Sequence, residues 1–190
     1  MRPPTLLLAF APLIAFSALA SLLPSGLIGA AALAAAVIAL TAGLASRPIW
    51  PPKLLISCSL ILLALIAVLG FTLGRGDDSW LATWGGAGVG LAAGLVILAL
   101  VPVMPFAEQF AREVTPRAYW SSPVFRKVNR VVSTGWGVAI SAVGVSRVIA
   151  AAIGQGTSRR VPELLLGLIV PVAIILGALR FSHSCYRSIQ

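Results

Sequence analysis

The sequence predicts an all-α polytopic integral membrane protein, a bundle of about six transmembrane helices with one short interfacial helix between the fourth and fifth spans. Three observations lead there. Of 190 residues 59% are hydrophobic and 10% charged, against roughly 25% charged in ordinary globular chains, so the chain cannot cover itself with polar surface. Apolar runs repeatedly approach the ~20 residues that a helix needs to cross the hydrocarbon core. The charges lie between those runs, with Arg147 the exception well inside one.

In order, the runs are 5–23, 27–45, 54–73, 84–103, 131–153 and 164–181. Each is read as a helix, because a backbone in hydrocarbon must satisfy its own polar groups. No extramembrane domain interrupts them, so 1–190 reads as a single transmembrane domain. In the first run, "ALAS" at 18–21 resembles a signal-peptidase site. A lone arginine before the run, and the run's length, argue instead for a retained span. Pro12 and Pro171 fall within the first and sixth runs, where each frees a backbone carbonyl and favours a kink.

The fourth run opens with "GGAGVGLAAG" at 85–94. A dinucleotide loop would need a preceding strand and a βαβ unit, and neither precedes it. The spacing of Gly86, Gly90 and Gly94 instead makes a small-residue ridge on which another helix can approach closely. Ser133, Gly137 and Ser141 form a similar stripe on the fifth run. Such ridges serve packing within one chain or between copies in a homo-oligomer.

Between the fourth and fifth spans, 104–130 forms a polar elbow. It holds five of the fourteen basic residues and two of the five acids. Pro105 suits the first turn of a helix. Phe106, Phe110 and Val114 recur at spacing four, and Glu108–Arg112 and Glu113–Arg117 are favourable i,i+4 pairs. This pattern predicts a short amphipathic helix in the membrane interface, stopped at Pro116. Tyr119 and Trp120 suit the headgroup level. Ser122-Pro123 is a cap and N1 proline opening the next helix, whose first turns carry Arg126, Lys127 and Arg130. The expected contacts of the elbow with lipid or a partner are Phe106, Phe110, Arg112, Arg117, Trp120, Arg126, Lys127, Asn129 and Arg130, with Phe106 and Phe110 lying toward the acyl boundary or against the bundle.

The basic residues also orient the chain. With the N-terminus in the cytoplasm, ten of the fourteen (Arg2, Arg47, Lys53, Arg112, Arg117, Arg126, Lys127, Arg130, Arg180, Arg187) are cytoplasmic, and three (Arg75, Arg159, Arg160) are outside. That bias predicts both termini cytoplasmic. The net charge of +9 lies beside spans, so it points to the bilayer and its anionic lipids rather than to nucleic acid.

Catalytic signals are sparse. His183 is the sole histidine, and with Cys185 it supplies two metal ligands where a closed site needs about four. Cys58 and Cys185 read as free thiols. No carboxylate lies inside a span, and Asp77 and Asp78 read as solvated loop residues. No enzyme, cofactor or metal site is expected. Arg147 is either a residue that snorkels to the surface or a transport site, since intramembrane charges are costly.

The elbow and following span, "PFAEQFAREVTPRAYWSSPVFRKVNRVVSTGWGVAI", resemble the intracellular septation protein A family of small bacterial inner-membrane proteins, or a related six-span family. The resemblance rests on Pro105, Glu113, Trp120 or Phe125, Lys127 or Arg130, Asn129 and Trp136, and on "APLIAF" at 11–16. It implies a bacterial inner-membrane protein of the septation or cell-envelope machinery, acting through contacts with other membrane proteins of division or envelope maintenance. The alternative from the residues is a small oligomeric transporter or channel with a site near Arg147.

Overall fold

The computed structural model describes residues 3–45, 54–73, 75–153 and 165–187, and they form helices with no strand among them. The helices are α1 (Pro3–Leu22), α2 (Ile28–Ala45), α3 (Leu54–Thr72), α4 (Arg75–Leu100), α5 (Phe106–Ala111), α6 (Pro123–Ile153) and α7 (Val170–Arg187). Four stretches are long and apolar enough to cross a bilayer: Leu54–Thr72, Thr83–Leu100, Pro123–Ile153 and Leu165–Arg187. The apolar stretches of α1 and α2, Phe10–Ala20 and Ile28–Leu44, are shorter. The described residues are thus all-helical and fit a multi-pass membrane protein. The chain divides into two compact units, 2–89 and 90–190, with the cut inside α4.

In the first unit, α2 packs on α3 through small residues. Ala31, Ala32, Ala35, Ala36 and Ala39 are buried, and this spacing keeps one alanine face along the helix. A β-carbon added to Gly70 would stand 2.6 Å from the Cα of Gly29, so the two backbones touch there. Phe16, Leu63, Ile66, Leu81 and Val89 complete the core of this unit.

In the second unit, α6 is the central element. Ser122 Oγ accepts the N–H of Phe125 at 3.3 Å, which caps the helix one residue before Pro123, as the sequence predicts. Three contacts give the relation of α6 to α7 and the turn before it: Asn129 with Tyr186, Trp136 with Ser182, and Ser146 with Leu166. Numbers rise along one helix as they fall along the other, so the pair is antiparallel. Position 187 therefore lies at the same end as the elbow. The segment of α4 from Gly90 also runs antiparallel to α6, with Gly90 beside Gly144, Gly94 beside Ser141 and Leu98 beside Gly137.

Three boundaries differ from the sequence reading. Helix α4 begins at Arg75, so positions 77 and 78 fall in its first turn rather than in a loop. Helix α5 ends at Ala111 rather than near Pro116. The chain there tightens into three-residue turns, Glu113 N–H to Phe110 O and Val114 N–H to Ala111 O. That tightening rotates Val114 out to 48% exposure. Helix α7 continues to Arg187 rather than ending near 181, because Ser182 and Tyr186 lie four apart and both bond to α6.

Pro171 has a local consequence. The turn Leu165–Ile169 before it is π-helical, a form in which each N–H reaches back five residues. The N–H that Pro171 lacks would have served Leu166. Ser146 Oγ on α6 instead donates to the Leu166 carbonyl at 2.6 Å. A second proline, Pro12, lies within α1.

Candidate functional site

The elbow is a folded unit built on one face of α6. Asn129, Val132, Ser133, Trp136 and Ile140 are buried along that face, at the three- and four-residue spacing that a helix requires. Helix α5 lies on its middle. Phe106 and Phe110 are each 1% exposed. Their rings meet edge to face at 6.1 Å, and Phe106 meets Trp136 in the same way at 6.5 Å. The start of α5 has no side-chain cap of its own, and the first N–H groups of any helix lack partners within it. Ser133 Oγ fills one of these places by accepting the Ala107 N–H at 3.0 Å.

The same face of α6 binds α7. Trp136 Nε1–H donates to Ser182 Oγ at 2.8 Å, and Ser182 donates onward to the Ala178 carbonyl at 2.8 Å. Toward the elbow end, Asn129 Nδ2 donates to the Phe125 carbonyl at 2.8 Å, and its Oδ1 accepts from the Tyr186 hydroxyl at 2.9 Å. Trp136 thus touches α5 through its ring and α7 through its nitrogen.

Of the nine expected lipid or partner contacts, Phe106 and Phe110 take the second of their two expected placements, against the bundle, and Asn129 is corrected to a buried position. Phe106, Phe110 and Asn129 are buried in the fold. The aromatic rings gain more from Trp136 and from each other than from a wet interface, and Asn129 has its polar atoms filled. The remaining six lie on the outside. Trp120 is half-buried, and its Nε1–H donates to the Thr115 carbonyl at 2.9 Å. The Arg112 and Arg117 guanidinium carbons stand 5.0 and 5.7 Å from its ring centroid, within the range of cation–π attraction. Arg112 also pairs with Glu108, through Nε at 3.1 Å and Nη2 at 2.5 Å. Trp120 thus gathers two cations.

Arg126, Lys127 and Arg130 are exposed and make no ion pair among the described residues. They border two clefts. One, of about 410 Å³, is lined by Ser121, Pro123, Arg126, Lys127, Arg130 and Val131. The other, of about 230 Å³, is lined by Val103, Pro105, Glu108, Arg112, Arg126 and Arg130. Arg147 is half-buried near the far end of α6 and borders neither cleft.

The small-residue stripes meet within the second unit. A β-carbon on Gly94 would strike Ser141, one on Gly144 would strike Leu91, and one on Gly137 would stand 2.7 Å from Leu98 Cγ. Gly86 belongs to the other unit, and Ser133 faces α5 rather than α4. Gly144, Ser146, Ser182 and Tyr186 escape a reading of the sequence. Gly144 is three residues past Ser141 and breaks the spacing of four. Ser182 and Tyr186 sit in a polar segment that reads as a tail, although their spacing of four is a helical signal. Comparison with family models, with curated proteins and with solved structures finds no match to this chain.

Proposed function

We propose that the protein is a non-enzymatic, six-span protein of the bacterial inner membrane, with both termini in the cytoplasm, that acts through protein contacts made at its cytoplasmic elbow. The setting suggested by the resemblance of 105–140 and 11–16 is the cell envelope or septation machinery. Helices α1 and α2 have 20 and 18 residues, or about 30 and 27 Å at 1.5 Å per residue. These lengths support two further spans beside the four longer stretches. The ten-to-three distribution of basic residues supports the orientation. So does the antiparallel pairing of α6 and α7, which sets Arg187 at the same end as the elbow.

The observation that carries the proposal is the contrast within the elbow. Its apolar side is locked down by Phe106, Phe110 and Trp136, while Arg126, Lys127 and Arg130 stand outside on the capped start of α6. A loop that served only as a connection would need neither the lock nor the concentration of charge. Fixed cations of this kind raise the encounter rate with an acidic partner and restrict its orientation.

Orientation comes first. A single cysteine at position 121 is expected to resist an impermeant thiol reagent added outside intact cells, and one at position 79 is expected to react. The reverse pattern would sink the cytoplasmic elbow. Partner contact is tested by a photocrosslinking residue in place of Tyr119, which is 61% exposed, with a matched probe at Val138, 54% exposed on the apolar length of α6. Discrete protein adducts from 119, absent from 138 and lost when Arg126, Lys127 and Arg130 become Glu, are the expected result. Identical adducts from both positions, or adducts that survive the charge reversal, would overturn the reading.

A further inference from the structure

The two clefts share a wall, Arg126 and Arg130, one helical turn apart on α6. From this the geometry points to a bound anionic phospholipid: Arg112, Arg126 and Arg130 hold the phosphate of its headgroup, and an acyl chain lies along the exposed valines of α6. The inference rests on the elbow lying at a bilayer surface, as proposed above.

Charge is the first argument. The smaller cleft brings together three guanidinium groups and one carboxylate, and Glu108 already pairs with Arg112. An excess of positive charge remains on Arg126 and Arg130, which make no ion pair among the described residues. Arginine presents a planar fork of donors that matches phosphate oxygens two at a time. At about 230 Å³ the cleft is far larger than one water, whose share of liquid volume is about 30 Å³.

Depth is the second. Helix α6 has 31 residues, about 46 Å at 1.5 Å per residue, well beyond the ~30 Å of the hydrocarbon core. One end must stand out of the oil. The end with Arg126, Lys127 and Arg130 does so most cheaply, since 131–153 carries one charge alone, Arg147. The clefts therefore open at headgroup level, with Val131 at the border of the acyl region.

Continuity with an apolar track is the third, and it selects a lipid over free phosphate. Val131, Val138 and Val145 are 43%, 54% and 45% exposed. Residues seven apart drift by about 20° per step, so they form one stripe leading away from the larger cleft. Val103, on the rim of the smaller cleft, is 83% exposed. A soluble anion would have no use for such a track.

The test uses the full chain, purified in detergent and examined by native mass spectrometry while phosphatidylglycerol or phosphatidylcholine with the same acyl chains is titrated. The expected result is one phosphatidylglycerol held about tenfold more tightly than phosphatidylcholine, in line with the attraction of a few basic residues for an anionic headgroup. R126Q/R130Q is expected to bring the two lipids to parity. R180Q/R187Q removes the same charge from exposed positions on α7 and is expected to keep the preference. R126K/R130K retains charge without the fork, and an intermediate preference is expected. That variant decides the matter if R126Q/R130Q does not fold: an unchanged preference would sink the site. Equal binding of both lipids by the wild type, or equal loss in the two glutamine variants, would overturn the inference. So would displacement of the lipid by millimolar inorganic phosphate, which would mean a soluble anion site. The outcome is separable from the partner proposal. Lost lipid preference with intact crosslinks from position 119 removes the lipid alone, and the converse removes the partner alone.

Discussion

Replacing Trp136 by Ala is expected to lower stability by about 3–5 kcal/mol, the usual cost of emptying a large aromatic site. The ring is 1% exposed, and the side chain contacts both α5 and α7, through Phe106 and Ser182. Its loss removes dispersion contacts on two sides at once and takes away the donor to Ser182. Trp136→Phe separates the two contributions. It keeps an aromatic ring against Phe106 and leaves Ser182 its bond to the Ala178 carbonyl, so the expected cost is about 1 kcal/mol, that of one hydrogen bond. Equilibrium unfolding in mixed detergent micelles measures both. If the Ala variant is no worse than the Phe variant, Trp136 is not the centre of the second unit. The Ala variant should also expose a cysteine placed at Gln109, because α5 loses the ring against which Phe106 packs.

Gly144→Ala is expected to destabilise by about 1–3 kcal/mol, the range for forcing extra volume into a packed interior. The added β-carbon would stand 2.6 Å from the Cα of Leu91, and the backbone of a helix cannot move aside as a side chain would. The two helices must separate, losing the close approach on which membrane helices depend in the absence of a hydrophobic drive. Gly94→Ala, which meets the backbone of Ser141, is expected to behave alike. Gly88→Ala is the contrast. Nothing lies within 4 Å of its added carbon, and an alanine in a helix interior is favoured over glycine by roughly 0.5–1 kcal/mol. The sign of the effect should therefore reverse between positions 144 and 88. Equal melting of both variants would mean that α4 and α6 do not meet at this crossing.

These two results bear on how the elbow can work. Helix α5 has only six residues and would be marginal alone, since short isolated helices do not hold in water. It persists because Ser133 caps it and Trp136 packs it. The rigidity of the charged surface thus derives from the same buried face of α6 that joins α7. Loosening that face should blur the positions of Arg112, Arg126 and Arg130 together, and with them any selectivity for a headgroup.

Composition and the spacing of charges were enough to establish an all-helical chain with membrane-length apolar segments, and local chemistry placed the start of α6 at Ser122-Pro123. Those properties depend on hydropathy, on charge and on the few residues around a helix end, all of which are written in linear order. The partners of the buried polar groups were not legible. Asn129 looks like part of a basic surface, Ser133 like one member of a packing stripe, and Ser182 and Tyr186 like a polar tail. Each acquires its role from a residue 26 to 57 positions away. The two phenylalanines of the elbow show the same limit, since an amphipathic helix has the same sequence pattern whether its apolar face meets lipid or another helix. A side chain settles on the partner that satisfies its polar atoms and fills its volume, and folding brings that partner from a distance that no local pattern records.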